Sequence, residues 1–263
     1  MDMGMQGKVV LVTGGTRGIG AAVSEAFRDE GASVFATGRS ARSVEMAAGA
    51  NAGSDGRLIF GVLDLADPTA PDRLVAEVME KFGRIDFVVN NAASFAYRSL
   101  ADLTASDWME LTQQKLVGYS EFIRAAQDQL IANKGAVVNV SGIAGCVPTG
   151  ETPHVGAVNS GIVSMTRFFA SLLAAHGVRV NAISPGDTDT DRRQERLARL
   201  ESEGLSRHEA ELRLAASIPM GRAVSPSEVA GVALALCSPH FASVTGVNVI
   251  IDGGRHIHYS TAQ

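Results

Sequence analysis

The stretch Lys8-Val9-Val10-Leu11-Val12-Thr13-Gly14-Gly15-Thr16-Arg17-Gly18-Ile19-Gly20 decides the fold. Its first half is a short apolar run rich in β-branched residues and closed by glycines, the pattern of a strand buried on both faces of a parallel sheet. Behind it, Ile19, Ala22, Val23, Ala26 and Phe27 recur at helical spacing up to Glu30, and Gly31 supplies a C-terminal stop. Gly14, Gly18 and Gly20 lie in the turn between strand and helix. They permit a tight bend and let backbone N–H groups and the helix N-terminus approach a pyrophosphate. A glycine triplet alone is a weak signal; its place between a first strand and a first helix makes it a specific one.

The alternation continues outward. Strands are predicted near Ser33–Thr37, Arg57–Leu63, Ile85–Asn90, Ala136–Ser141, Val178–Ser184 and Val247–Ile251, and helices near Pro68–Phe82, Ser106–Ala132 and His154–Ala175. Strands alternating with helices of ten or more residues imply an α/β, Rossmann-type doubly wound parallel sheet of about seven strands with helices on both faces. No repeat or linker divides the chain, so residues 1–263 read as a single domain. One stretch departs from the pattern. Thr188 to Ser217 is charged and helix-forming, with Asp191-Arg192-Arg193-Gln194-Glu195-Arg196 near its start. It follows the carboxyl end of a strand, where ligands of open α/β sheets bind. A solvated helical insertion fits this stretch, and so does a substrate lid over about residues 188–217; the position favours the lid.

Composition narrows the partners. Lys and Arg number 23 against 28 Asp and Glu, a net charge of −5. That balance, with a pI near 5.7, argues against nucleic acid or an anionic membrane. Cys146 and Cys237 lie far apart without metal-ligand companions and read as free thiols of a reducing compartment; no metal site is expected. Met1 to Gly7 has neither a cationic start nor an apolar run, so no signal peptide is expected. No stretch approaches about 18 uninterrupted apolar residues, so no membrane span is expected either. A cytoplasmic chain acting on a small molecule is the reading.

The second strand ends Ala36-Thr37-Gly38-Arg39-Ser40. A carboxylate here would accept from the ribose 2′-hydroxyl of NAD, whereas an arginine pairs with the additional 2′-phosphate of NADP. Position 39 is arginine and Arg17 stands in the glycine turn as a second clamp, so NADP is the expected cofactor; two solvated arginines without a ligand are the plainer alternative. Further pieces accumulate: Thr13-Gly14-x-x-x-Gly18-x-Gly20, Asp64-Leu65 after the third strand, and Asn90-Asn91-Ala92 after the fourth. Later come Asn181-x-x-Ser184-Pro185-Gly186-x-x-x-Thr190 and Asp252-Gly253-Gly254. With them the chain resembles the short-chain dehydrogenase/reductase family over nearly its full length. The resemblance implies that Gly14, Thr16, Arg17, Gly18, Ile19 and Gly20 hold the pyrophosphate, Arg39 and Ser40 the 2′-phosphate, and Asp64 and Leu65 the adenine. It implies Asn90 and Ala92 on the ribose side, and Pro185, Gly186 and Thr188 around the nicotinamide. It also implies a homo-oligomer, a tetramer or dimer built on the helices near 106–132 and 154–175. The second of these carries Ile162, Met165, Phe168, Phe169 and Leu172 as apolar surface.

The family's catalytic group is Asn, Ser, Tyr and Lys, and here the resemblance departs. Ala157, Gly161, Thr166 and Arg167 hold the register of the family's Tyr-x-Ala-x-Lys-x-Gly-x-x-x-x-Thr-Arg, which sets Val155 at the tyrosine and Asn159 at the lysine. The same spacing sets Gly142 at the serine and Lys115 at the asparagine. No Tyr-x-x-x-Lys occurs anywhere: four residues after Tyr97, Tyr119 and Tyr259 stand Ala101, Ile123 and Gln263. The chain is thus expected to be a divergent member without the usual four. Val155 moves no proton, and Asn159 carries no charge, though it can still hydrogen-bond ribose hydroxyls.

Three groups could serve instead. Lys115, if desolvated, has a lowered pKa; an amine snorkelling to solvent, or paired with a carboxylate across a subunit contact, is its plain alternative. His154 titrates in the useful range, but as the first residue of its helix it could face solvent. Ser141 precedes the serine position by one, and strand alternation turns it to the opposite face unless the loop starts early. Glu151 is a further carboxylate with a surface reading. The expected function is an NADP(H)-dependent oxidoreductase of a carbonyl, imine or activated alkene with a rebuilt or substrate-supplied proton path. An NADP-binding sensor or silent subunit, and a lyase or isomerase on the same scaffold, remain alternatives. The Arg-rich lid hints at a polar or anionic ligand.

Overall fold

The computed structural model describes residues 2–51, 56–94, 98–148 and 153–257; Tyr97, Glu151 and Tyr259 lie outside them. The elements run β1 (Val9–Val12), α1 (Gly18–Asp29), β2 (Ser33–Gly38), α2 (Ala41–Ala50), β3 (Leu58–Val62), α3 (Ala70–Phe82) and β4 (Phe87–Asn90). Then come α4 (Ala105–Leu111), a π-helical segment (Thr112–Val117), α5 (Gly118–Asn133), β5 (Ala136–Val140), α6 (Pro153–Leu173) and β6 (Arg179–Pro185). Helices α7 (Asp191–Ser202), α8 (Arg207–Ala215) and α9 (Pro226–Cys237), then β7 (Asn248–Ile251), follow. The seven strands pair in parallel in the order β3-β2-β1-β4-β5-β6-β7. The order reverses between β1 and β4, which opens a crevice at their carboxyl ends.

The expected sheet is therefore present; β1, β2, β4, β5 and β6 are buried along nearly their whole length, as their apolar runs imply, whereas the edge strands β3 and β7 are only partly buried. Alternate side chains serve opposite layers. Val10, Val12, Val34 and Val138 pack toward Val23 and Phe27 of α1 and Ala233 of α9. Leu11, Phe35, Val88 and Val137 pack toward Leu74 of α3 and Phe122 of α5.

Four features differ from the sequence reading. Helices α2 and α9 were not anticipated. The helix expected over Ser106–Ala132 is continuous in extent but passes through the π-helical turns of Thr112–Val117. The segment 188–217 forms two helices separated at Gly204, whose φ is +102°, with Leu197, Leu200 and Ala210 as a small apolar cluster of its own. Finally, among the described residues one helix, Pro153–His176, 24 residues at mean hydropathy 1.2, is long and apolar enough by length and composition to cross a membrane, a feature that a count of uninterrupted apolar residues does not single out. Here it lies along the sheet and buries Val158, Ile162, Thr166 and Ala170.

Candidate active site and cofactor cleft

The turn after β1 is built so closely that side chains have no room. A Cβ on Gly14 (φ +69°) would lie 2.9 Å from the Ala92 Cα, and one on Gly20 would lie 2.1 Å from the Gly14 carbonyl oxygen. Gly14 N donates to Thr37 Oγ1 (3.1 Å) and Gly15 N to the Thr37 carbonyl (2.8 Å). On the other side Asn91 Nδ2 donates to the carbonyls of Thr13 (3.1 Å) and Gly14 (3.0 Å), while Thr13 Oγ1 accepts from Asn91 N and Ala92 N. Helix α1 then starts at Arg17 with no side-chain cap. The first-turn N–H groups of Gly18, Ile19 and Gly20 are thereby left as donors for an anion.

The neighbouring positions surround this turn. Gly38 leaves room for Thr16, whose Cγ2 would lie 2.7 Å from a Cβ there. Ser40 Oγ caps α2, accepting from Ser43 N at 3.3 Å. Arg17 and Arg39 are both exposed: Arg17 faces Asp191 at 3.8 Å, and Arg39 Nη1 reaches Ser94 Oγ at 3.5 Å. Asp64 accepts from Ala66 N at 2.9 Å, and with Leu65 it rims a groove of about 160 Å³ bordered by Gln113 and Val117.

Beyond β6 the chain lies against the end of β7. Gly186 N donates to the Ile251 carbonyl, and a Cβ on Gly186 would lie 2.7 Å from that of Asp252. Thr188 bridges to Val224, and the Thr190 methyl sits over Gly18, so the segment leading into α7 covers the glycine turn. Asp187 is buried and accepts from Arg193 Nε (3.1 Å) and Arg196 Nη1 (2.6 Å), which fastens α7 to the end of β6. Arg207 pairs with Glu201 and Glu211. These arginines are engaged with the protein's own acids, so their number is not a mark of an anionic ligand.

Lys115 is the centre of the site. It projects from the π-helical segment, a geometry that recurs at functional positions, and is only 6% exposed. Its Nζ donates to the Ser141 carbonyl (2.7 Å) and to Asn159 Oδ1 (2.5 Å). Burial, followed by the positive charge of Arg192 in α7, lowers the amine from 10.5 to about 7. The amine is buried rather than snorkelling to the surface, and among the described residues of this chain no carboxylate pairs with it. Beside it, Gly142 adopts φ +154°, and a Cβ there would lie 2.8 Å from Asn159 Nδ2. The amide of Asn159 thus fills the space that a side chain at 142 would need.

The other candidates fall differently. His154 is 1% exposed and packs against Trp108 of α4, ring centroids 6.0 Å apart, which corrects the expectation of a solvent-facing ring. Burial lowers its pKa, partly opposed by the Asp107 charge. Ser141 Oγ donates to the Asn159 carbonyl at 2.9 Å, so its hydroxyl is turned into α6. Val155 packs in a buried apolar cluster with Leu111 and Val158. Tyr119, the one tyrosine among the described residues, gives its hydroxyl to the Val140 carbonyl, and burial raises its pKa.

With this geometry in place, likeness to known proteins becomes informative. The family model described as Enoyl-(Acyl carrier protein) reductase matches residues 14–256. The chain belongs to the short-chain dehydrogenase/reductase family. A 3-oxoacyl-[acyl-carrier-protein] reductase, FabG, of Thermotoga maritima is 32% identical over 253 residues, covering 96% of this chain and 99% of that protein. L-fucose dehydrogenase of Mus musculus is 32% identical, with 96% and 90% covered. Among solved structures, L-sorbose reductase from Gluconobacter frateurii complexed with NADPH and L-sorbose superposes with a TM-score of 0.93 at 25% identity, covering 98% and 100%. The RhlG/NADP active-site complex of Pseudomonas aeruginosa gives 0.85 at 28% identity, covering 95% and 97%.

In this short-chain dehydrogenase/reductase the side chains of the Asn90-Asn91-Ala92 motif divide their work. Asn90 is fully buried, and its Nδ2 donates to Asn139 Oδ1 (2.9 Å) and to the Tyr119 carbonyl (3.3 Å). Asn139 Nδ2 continues to Thr166 Oγ1 (3.0 Å), so the chain of amides ties β4 and β5 to α6. The Asn90 side chain is thus committed to the sheet and α6, and Asn91 braces the glycine turn. Thr13, Thr37, Asp187 and Arg192 were likewise not singled out from the sequence. Polar residues at the carboxyl ends of apolar strands were the available signal for the first three.

Proposed function

We propose that this protein is an NADP(H)-dependent oxidoreductase of small carbonyl, imine or activated-alkene compounds, and that Lys115 takes the proton-handling role of the family's tyrosine. The observation that carries the reading is the buried Lys115 Nζ held between the Ser141 carbonyl and Asn159 Oδ1. Two acceptors use two N–H groups. The ammonium keeps a third N–H and the neutral amine keeps its lone pair, available to a substrate oxygen or nitrogen. An amine near 7 populates both forms at neutrality, as acid–base work requires. On this reading the chain is a divergent member in which Lys115, Gly142, Val155 and Asn159 stand for the usual Asn, Ser, Tyr and Lys.

The cleft fits the cofactor carried by the structural neighbours. Its turn excludes every Cβ at Gly14 and Gly20, α1 opens with uncapped donors, and Arg17 and Arg39 are exposed with no carboxylate at 38 or 39. Arg39 and Arg17 would hold the 2′-phosphate, the first turn of α1 the pyrophosphate, and Pro185, Gly186 and Thr188 the nicotinamide end. Bound NADP(H) supplies or accepts the hydride. Helices α7 and α8 serve as the lid of a single domain. Exposed Phe168 and Leu172 on α6, with Met109 and Val117, support a homo-oligomer, which we take as a tetramer. The unpaired thiols of Cys146 and Cys237 support a cytoplasmic setting.

One observation favours a second reading, a silent NADP-binding subunit: the Val155 position is packed with apolar groups and offers no polar atom. The test is an NADPH thermal-shift titration, followed by nicotinamide absorbance with ketone, imine and enone panels, on wild type and Lys115→Met. Turnover abolished in Lys115→Met at unchanged NADPH affinity supports the first reading. Binding without turnover on every panel supports the second, and no NADPH binding overturns both.

A further inference from the structure

We propose that the Lys115 amine also captures aldehydes and ketones covalently as an iminium, giving the site a non-redox activity: exchange of the α-hydrogens of the captured carbonyl compound. The proposal needs only the amine and no nicotinamide, so it stands or falls apart from the redox reading. Three observations carry it. The chain has four lysines, and Lys115 is the buried one: Lys8 is ion-paired with Asp86 at 3.0 Å, and Lys81 and Lys134 are exposed. Lys115 reaches the first residue beyond the carboxyl end of β5, the edge at which open α/β sheets bind ligands. Among the described residues, its surroundings also lack an anion. The end of β5 and α6 offer Ser141, Gly142 and Asn159, none of them titratable near neutrality, and α7 offers the cationic Arg192. A desolvated lysine beside a second cation, with no carboxylate to hold its proton, is the arrangement that makes an amine nucleophilic.

The chemistry balances without a further reagent. The Nζ lone pair of the neutral amine adds to the carbonyl carbon, the C=O pair moves onto oxygen, and one proton passes from nitrogen to that oxygen, giving a neutral carbinolamine. A second proton, from solvent, lets the oxygen leave as water while the nitrogen lone pair forms C=N⁺. The iminium keeps one N–H, which stays on Asn159 Oδ1 or the Ser141 carbonyl. Loss of an α C–H proton to solvent gives the enamine, reprotonation from solvent restores the iminium, and hydrolysis returns the amine and the exchanged carbonyl compound.

The test is reductive trapping on the wild-type protein: acetone with sodium cyanoborohydride at neutral pH, without nicotinamide, then intact mass and peptide mapping. One isopropyl group per chain is expected, on Lys115, formed about tenfold or more faster than on Lys8, Lys81 or Lys134. Labelling of those three with Lys115 unmodified, or no faster than they are, overturns capture, and this outcome needs no variant. In D2O, deuterium incorporation into acetone is expected to fall about tenfold or more in Lys115→Arg whose thermal melt matches wild type. If that melt is lowered, the exchange is instead compared in wild type before and after stoichiometric trapping. Exchange that is unchanged by either route overturns the activity.

Discussion

Gly142→Ala tests whether the unusual residues of this site depend on one another. The new Cβ would stand 2.8 Å from Asn159 Nδ2, against an ordinary contact of 3.4–4 Å. The amide must therefore turn away, and turning it breaks the Lys115 Nζ–Asn159 Oδ1 hydrogen bond. A hydrogen bond to a charged group contributes about 1.5–3 kcal/mol, and a non-glycine residue in this backbone region costs a further ~1–3 kcal/mol. The sum, about 2.5–6 kcal/mol, corresponds to roughly 5–15 °C in Tm for a domain of this size. The assay is urea unfolding of Gly142→Ala, Asn159→Ala and the double variant. With the amide removed, only the backbone part remains, so the two substitutions should couple by about 1.5–3 kcal/mol. Costs that add to within ~0.5 kcal/mol would refute the reasoning, because residue 142 would then be glycine for some reason other than Asn159.

Other perturbations probe the remaining parts. Lys115→Met should change how stability varies with pH. The folded amine near 7 lies below its ordinary 10.5, so between these values the unfolded chain binds a proton that the native state does not. Wild-type stability therefore gains on the variant by up to about 1.4 kcal/mol per unit as pH rises from 7 to 10.5, and the gain vanishes below 7; parallel pH profiles in urea unfolding would contradict it. Arg39→Glu should weaken NADPH binding about 10- to 150-fold, the loss of a charge-assisted contact, while NADH is affected far less; an unchanged NADPH/NADH ratio by calorimetry removes Arg39 from the 2′-phosphate site. Asp187→Asn leaves Arg193 and Arg196 without their buried counter-charge, at about 3–5 kcal/mol, and should speed proteolytic cleavage within residues 188–217. Asn159→Lys sets a second amine against Lys115 and should lower Tm at pH 6 more than at pH 9; a pH-independent change would mean the two amines do not meet.

How far the sequence could be read depended on range. Apolar runs with glycine stops located every strand within a residue or two, because strands buried on both faces write their burial into adjacent residues. Helix α9 escaped since Val229, Ala230, Ala233, Leu234, Leu236 and Cys237 are all buried, which leaves little periodic contrast. Helix α2 buries only Ala47 and has little contrast of the opposite kind. The π-helical segment changes the pitch for a few residues, too few for an apolar period to register. In the site, motif spacing located Lys115, Gly142, Val155 and Asn159 one by one. That Lys115 touches Asn159, 44 residues away, is a property of the folded state. The burial of His154 likewise depends on Trp108 arriving from α4, and the lid's arginines are matched by Asp187, which lies before the helix that bears them.

These contacts bear on the proposed reading of the site, in which four positions differ from the family's catalytic group. Independent decay of four catalytic positions would leave residues with no relation to one another. Here Lys115 uses the oxygen of Asn159, and Asn159 points its nitrogen at the place a side chain on residue 142 would occupy. A lysine at 159 would share that space with the Lys115 amine, and each cation would depress the other. A serine at 142 would meet the Asn159 amide. Given a lysine at 115, a neutral acceptor at 159 and a glycine at 142 follow from charge and from volume. The buried apolar packing of Val155 beside them is compatible with a proton path that no longer runs through that position. On the proposed reading the four residues act as one arrangement with its own cation, a desolvated amine kept despite the stability cost that desolvation imposes.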